Sequence, residues 1–188
     1  MGSTRTPGKV GKIIAGQAML HHQLQRLLKN GISDIIVATS ESKNDDEVVS
    51  IARNLNVEVF QGDENDVLKR YYEAAKKYHV KNIIRLCGDD PLIDPECIYS
   101  LINIHKEKSV EFITASHQNG WIYGTTAELF TFDCLEFTQN NAFSKLEREH
   151  VNPFIKQYQG FSKIRISPTD KKLIRPDIYV TVYFPEDF

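Results

Sequence analysis

Short apolar runs alternate along most of the chain with stretches of helical period. Leu20, Leu24, Leu27 and Leu28 fall at i, i+4, i+7 and i+8, the inner face of an amphipathic helix that Gly31 stops. Asp34 to Thr39 is compact and β-branched and reads as a buried strand. Asn44 with Asp45, Asp46 and Glu47 predicts a cap and an acidic first turn, with Val48, Ile51, Ala52 and Leu55 turned inward. A strand over Val57 to Phe60 follows, then a helix on Leu68, Tyr71, Tyr72 and Ala75, then a strand over Asn82 to Cys87. Asp94 and Pro95 spell a cap and a first-turn proline for a helix facing inward through Ile98, Leu101, Ile102 and His105.

Strand and helix trading places at this pace predict βαβ units and a mainly parallel sheet flanked by helices. Beyond about residue 110 the pattern loosens. Val110 to Ala115 and Glu128 to Phe132 read as strands around a glycine-containing loop, and Ser144 with Glu147 spells a capping box. Asn152-Pro153 breaks or restarts that helix, and Lys163 to Ser167 and Tyr179 to Phe184 are the last strand candidates. Residues 1–188 read as one domain. The chain opens on a glycine-containing loop of the kind that follows a central strand in parallel α/β folds, and closes on what resembles a starting helical turn. The expectation is a domain lacking its first strand and its C-terminal end, with two neighbouring sheet edges left unpaired and either a tendency to aggregate or a need for a partner strand; a domain that simply begins and ends in loops is the alternative.

Charge and composition narrow the function classes. The chain has 23 Lys and Arg against 25 Asp and Glu, a formal net charge of -2, so bulk charge gives no reason to expect nucleic-acid or membrane binding. No apolar run approaches the length needed to span a bilayer. The three cysteines (Cys87, Cys97, Cys134) form no CxxC pair, which suits a reducing, cytoplasmic setting. The histidines show no HExxH spacing for zinc, and no GxSxG elbow is present.

Three stretches carry candidate chemistry. Gly2-Ser3-Thr4-Arg5-Thr6-Pro7-Gly8-Lys9 is rich in backbone donors, with Arg5 as a fork and Lys9 as a point charge for phosphate oxygens. It does not match the Walker spacing, and a flexible polar terminus is the alternative. Asp89 and Asp90 follow a strand at the edge where α/β sheets bind ligands, and their hard oxygens suit Mg²⁺ held through phosphates. A plain Gly-Asp-Asp-Pro turn is the alternative there, and Asp94 reads as a helix cap. Glu147-Arg148-Glu149-His150 reads first as a charged helix face.

The segments MGSTRTPGK, AGQAML, VATSESKNDDE, VFQGDENDVLKRYYEAAK, RLCGDDPLIDPE, EREHVNPFI and PEDF stand in one order over nearly the whole chain. Together they resemble the spore-coat polysaccharide biosynthesis protein F group of the acylneuraminate cytidylyltransferase family. The resemblance implies a Rossmann-like nucleotide-diphospho-sugar transferase fold. It also implies an enzyme that couples CTP to an acidic sugar, giving a CMP-sugar and pyrophosphate with Mg²⁺, and a homodimer. Carried onto this sequence, Gly2, Ser3, Arg5, Gly8 and Lys9 would hold the nucleotide, with Arg5, Lys9 and Asp89 catalytic. Asp89 would bind the metal, and Glu128, Arg148, Glu149 and His150 would face the sugar. The chain departs from the family pattern at Thr6 (usually leucine), Gln17 (usually lysine), Thr126 (usually aspartate) and Tyr183 (usually the second metal-binding acid, for which Asp187 is a substitute). These departures leave open a second reading, a non-catalytic relative that keeps the scaffold and binds a nucleotide or a partner protein.

Overall fold

Three successive helices in the first half end in the same way, and each ending delivers the chain into a strand. The computed structural model describes residues 8–188. A short hairpin of β1 (Ile13–Ile14) and β2 (Gln17–Ala18) leads into α1 (Met19–Lys29) and β3 (Ile36–Ser40). Then come α2 (Asp46–Asn54), β4 (Glu58–Gly62), α3 (Val67–Lys77) and β5 (Asn82–Arg85). After α1 the Ile32 amide donates to Leu27 and the Gly31 amide to Leu28; Val57 and Asn56 repeat the pattern after α2, as do Val80 and His79 after α3. This double bond satisfies the last helical carbonyls but needs a left-handed residue, here Gly31 (φ 77), Asn56 (φ 56) and His79 (φ 53).

The second half contains α4 (Pro95–Lys108), β6 (Phe112–Ala115), β7 (Glu128–Thr131), α5 (Phe132–Asn141), α6 (Lys145–His150), α7 (Asn152–Gln157) and β8 (Lys163–Ile166). Asp94 caps α4 by accepting from the Glu96 amide, with Pro95 in the first turn, as its spelling predicts. The capping box of Ser144 and Glu147 opens α6, and Val151 (φ 67) separates it from α7 at the predicted Asn-Pro break.

Strands β5, β7, β6 and β8 form one sheet in that order, while β3 and β4 pair in parallel as a second. The expected mainly parallel sheet is therefore refined to a mixed arrangement: β7 runs antiparallel to both β5 and β6, and β6–β8 is parallel. The reason is local, because β6 and β7 are joined by a loop that reverses direction without a helical crossover.

The register of the four-stranded sheet sorts its two faces. Ile84, Leu129, Ile113 and Ile164 align across the strands and pack with Ile98, Leu101 and Trp121. The Trp121 indole donates to the Ile166 carbonyl, so that core carries no unmet donor at the ring. On the opposite face Ile83, Phe130 and Phe112 align and meet Leu68, Leu135 and Ile155 from α3, α5 and α7. A third cluster joins Leu20 and Leu24 of α1 to Val48 and Ala52 of α2 and to Val57.

Tyr179 to Phe184 does not form the expected strand. It runs as an extended segment with a single bridge from Tyr179 to Tyr123, and its Val182 amide donates to the Asp89 carbonyl. Asp45 does not cap α2 with its side chain either. Its carboxylate turns inward and accepts from Thr39 and from both the amide and the hydroxyl of Ser40. Among the described residues, no helix is long and apolar enough to cross a membrane.

The shared helix ending gives a paired test. Gly31→Ala forces a β-carbon into the left-handed region and should cost about 1 kcal/mol, whereas His79→Gly at an exposed position should gain about 0.5 kcal/mol. Urea denaturation of both variants checks the opposite signs.

Candidate active site

The loop after β5 is clamped from three directions. Gln23 of α1, buried, donates its side-chain amide to the Cys87 carbonyl at 2.7 Å and to the Asp90 carbonyl at 2.9 Å. The Thr181 hydroxyl donates to Asp90 Oδ1 at 2.7 Å. From the N-terminal side, Gly8 adopts a left-handed conformation (φ 68) and starts a single tight turn over Lys9–Gly11. That turn sends the Lys9 ammonium inward, 2.7 Å from Asp89 Oδ2 and 3.0 Å from the Val182 carbonyl. Lys9 is only 5% exposed, so its charge is met by a carboxylate and a carbonyl in a site largely shielded from solvent.

Beside this loop lies a cleft of about 490 Å³. Its floor is the polar row that the sheet register creates: Arg85 of β5, Glu128 of β7, Thr114 of β6 and Arg165 of β8 stand side by side on neighbouring strands. This row shares the face of Ile83, Phe130 and Phe112, two residues further toward the carboxyl end of β5. Glu128 is buried and accepts from Lys156 at 2.8 Å, Asn152 at 2.5 Å and Thr114 at 3.3 Å, with Arg85 3.5 Å away. Burial alone would raise its pKa, but Lys156 and Arg85 outweigh that and hold it below 4.5. Arg85 Nε is buried with no hydrogen-bond partner among the described residues.

The remaining wall is aromatic. Tyr123 packs edge-on against His117 and beside Tyr179, and its hydroxyl lies 2.6 Å from that of Tyr183. Gly124 (φ 95) permits this packing, since a β-carbon there would fall 2.6 Å from the Thr181 amide nitrogen. Burial, with the hydrogen bond to Tyr123, raises the Tyr183 pKa well above its ordinary value, so it presents a neutral hydroxyl. Burial also lifts the Asp90 carboxyl to about 6, against the pull of the Thr181 hydroxyl and with the added repulsion of Asp89. Cys87 lines the cleft, but burial pushes its thiol up, which disfavours a thiolate nucleophile.

Lys9, Asp89 and Glu128 are thus brought to one edge of the sheet, with Asp89 shared between the cleft and a neighbouring groove. Gly2, Ser3 and Arg5 lie outside the described residues. Arg148 does not face the cleft: it grips both carboxylate oxygens of Asp66, the cap of α3, and donates to the carbonyls of Gln139 and Ala142. It ties α6 to α3, a task that explains its position without a ligand. Glu149 and His150 are exposed, and neither lines the cleft. The stretch reaches the site instead through Asn152 and, beyond the motif, Lys156. Asp187, the substitute acid, caps its own turn by accepting from the Tyr183 and Phe184 amides at 2.7 Å each. Thr126 lines the cleft, while Gln17 is exposed on the β1–β2 hairpin.

The donor chemistry fits a magnesium-type cation shared with phosphates. Asp89 offers a hard, partly exposed carboxylate with Asp90 adjacent, and such a cation needs only one or two protein acids beside water and phosphate oxygens. Among the described residues no group of three or more His, Cys, Asp or Glu side chains forms a cage that would hold a metal by itself.

Comparison with known proteins gives this geometry a lineage. A family model described as cytidylyltransferase matches residues 1–183. An uncharacterized protein of Methanocaldococcus jannaschii is 35% identical over 188 residues, covering 100% of this chain and 76% of that protein. The spore coat polysaccharide biosynthesis protein SpsF of Bacillus subtilis is 24% identical over 193 residues, covering 100% of this chain and 80% of its own length. Among solved structures, a cytidylyltransferase from Leptospira borgpetersenii superposes with a TM-score of 0.91 at 31% identity, covering 100% of this chain and 79% of that one. CMP:2-keto-3-deoxy-manno-octonic acid synthetase complexed with CTP gives 0.69 at 16% identity, covering 98% and 90%, a likeness of fold. The chain belongs to the cytidylyltransferase family, and its fold is that of the nucleotide-sugar transferases.

Proposed function

We propose that this protein transfers a cytidylyl group from CTP to an acidic sugar, releasing pyrophosphate, in the supply of an activated sugar for a surface polysaccharide. The observation that carries the reading is the continuity of two charged sites. The buried Lys9–Asp89 pair marks a place for phosphates, and it adjoins a cleft floored by Arg85 and Arg165 and rimmed by Lys156. Asp89 would hold Mg²⁺, whose chemistry there would be neutralisation of phosphate charge. Lys9 directs its ammonium to the same side, and Arg85, with its unpartnered Nε, offers a fork for an anionic oxygen.

In the reaction a sugar hydroxyl oxygen bonds to the α-phosphorus as the bond to the β-phosphate oxygen breaks. The hydroxyl proton leaves to solvent, and pyrophosphate carries away the electron pair. Such transfers depend on positioning and on neutralising charge more than on covalent help. Arg165 and Lys163 line the far side of the cleft and suit a sugar carboxylate, while Glu128, held ionised by Lys156 and Arg85, accepts hydrogen bonds from sugar hydroxyls. Tyr183 contributes a neutral hydroxyl in place of the acid usual in the family, so Asp89 would be the residue that holds the cation.

Pyrophosphate release from CTP, assayed with 3-deoxy-manno-octulosonate and with a nine-carbon sialic acid, tests the reading. The purified chain should turn over at least one of these acids. Lys9→Met and Asp89→Asn should each lower kcat/KM by roughly 10²–10³-fold, and Asp89→Asn should also weaken the response to Mg²⁺. No release with either acid from a folded chain would favour the non-catalytic relative.

Glu128 gives a second test through pH. Its depressed pKa means that it stabilises the folded state above about pH 4.5 and that this contribution is lost as pH falls through its folded value. Glu128→Gln should therefore be less stable by about 2 kcal/mol at pH 7, chiefly because it leaves the largely buried Arg85 charge without its carboxylate. The deficit should shrink as pH drops below 4.5, as urea midpoints across that range would reveal.

A further inference from the structure

Helices α6 and α7 meet at a joint that the backbone resists. Val151 has φ 67 and ψ -54, a left-handed setting that crowds a β-branched side chain. The local sequence forces a change of direction here, because Pro153 has no amide hydrogen with which to extend α6. The surroundings then fix where the turn falls. On one side α6 is tied down by its capping box and by the grip of Arg148 on Asp66. At the turn itself Val151 is fully buried in the cluster that contains Leu68, Leu135 and Ile155. A glycine would relax the backbone but would empty that core position, so the strain persists where packing over-determines it.

What the joint decides is the aim of α7. Asn152 and Lys156, one helical turn apart on one face, divide the Glu128 carboxylate between them. Asn152 Nδ2 donates to Oε2 at 2.5 Å, and Lys156 Nζ lies 2.8 Å from Oε1. Arg85, paired with Glu128 in the strand register, leaves its Nη1 3.5 Å from Oε2, longer than the roughly 2.7–2.9 Å of a charged hydrogen bond. Its Nε is buried with no hydrogen-bond partner, and its side chain is only 16% exposed. An arginine beside a carboxylate ordinarily closes into a two-pronged pair. Here Asn152 occupies the oxygen that such a pair would use. We infer that Asn152 is a positioning residue: aimed by the strained Val151 joint, it holds the Glu128 carboxylate off Arg85 and keeps that guanidinium available to an anionic oxygen of the substrate, an inference that takes its substrate from the transfer proposed above. Without the Asn152 amide, Glu128 closes on Arg85, satisfies its Nε and withdraws the fork from the cleft. A sugar carboxylate and a CTP phosphate share the chemistry that Arg85 would bind, and the test separates them.

The test compares the wild type with Asn152→Leu, which keeps the volume and removes the donor. Nitrogen-15 NMR follows the arginine Nε–H groups without any ligand, the Arg85 signal being assigned by its loss in Arg85→Lys. Exchange of that proton with water should slow by on the order of 10-fold in Asn152→Leu, where the close pair with Glu128 protects it. Adding Glu128→Met, which removes the acceptor, should return the exchange to the wild-type rate. Equal exchange in the wild type and Asn152→Leu would overturn the inference, and so would protection that survives the second substitution. In the pyrophosphate-release assay Asn152→Leu should raise the KM of one substrate by roughly 10-fold, with the other KM and kcat within about twofold. A rise for the sugar acid assigns its carboxylate to Arg85, and a rise for CTP assigns a phosphate. A fall in kcat with both KM values unchanged would overturn the inference. A wild type that releases no pyrophosphate while Arg85 exchange still responds to Asn152→Leu would sink the transfer reading and leave the arrangement around Arg85 standing.

Discussion

A buried ammonium holds the functional edge of this protein together. Lys9 meets the Asp89 carboxylate and the Val182 carbonyl at once, joining the N-terminal turn, the loop after β5 and the extended C-terminal segment. Burying a charge is costly unless its partners are close and well aimed, so these three segments must be positioned together or the site fails as a unit. Gln23 and Thr181 extend the same logic, fixing the Cys87 and Asp90 carbonyls and the Asp90 carboxylate. The result is a loop whose geometry is set before any ligand arrives, a condition for electrostatic stabilisation of a developing phosphate charge.

The sheet supplies the other half of the site by a simple periodic rule. Residues two apart on one strand share a face, so Ile83, Phe130 and Phe112 bury against α3, α5 and α7 while Arg85, Glu128 and Thr114 emerge on the same face where that cover ends. Arg165 continues the row on β8. A cation on each side of a buried carboxylate keeps Glu128 ionised, and the Lys156 ammonium arrives from α7. Core and active site are consecutive rows of one surface, so a register slip of one residue would turn that strand's share of both rows to the opposite face of the sheet.

Much of this arrangement was legible in the sequence, and the gaps have physical causes. The leucine face of α1, the cap at Asp94 and the box at Ser144 and Glu147 depend on near neighbours, so local spelling specified them. The position of Asp89 just beyond β5 was readable because it follows a strand of clear pattern. The resemblance placed Arg148 toward the sugar, whereas its guanidinium holds Asp66, a partner far back along the chain that no local spelling points to. Arg85, Arg165 and Lys156 were passed over as site residues, although for Arg85 and Arg165 a charge interrupting an apolar strand is a signal that alternation supplies. The extended run around Val180 to Val182 has the composition of a strand, yet it is bound to loops through Asp89 and Tyr123, contacts that no short-range pattern encodes. Helix α5 escaped notice because its aromatic and amide residues have weak helix propensity, and packing of Cys134 and Leu135 decides its conformation.

The central claim, that the Lys9–Asp89 edge receives a nucleoside triphosphate, is tested most directly by calorimetric titration of CTP into the purified protein with and without Mg²⁺. The account predicts saturable one-site binding that strengthens with Mg²⁺ and disappears in Lys9→Met. Equal heats from the wild type and that variant, or no binding by a folded protein under either condition, would contradict it.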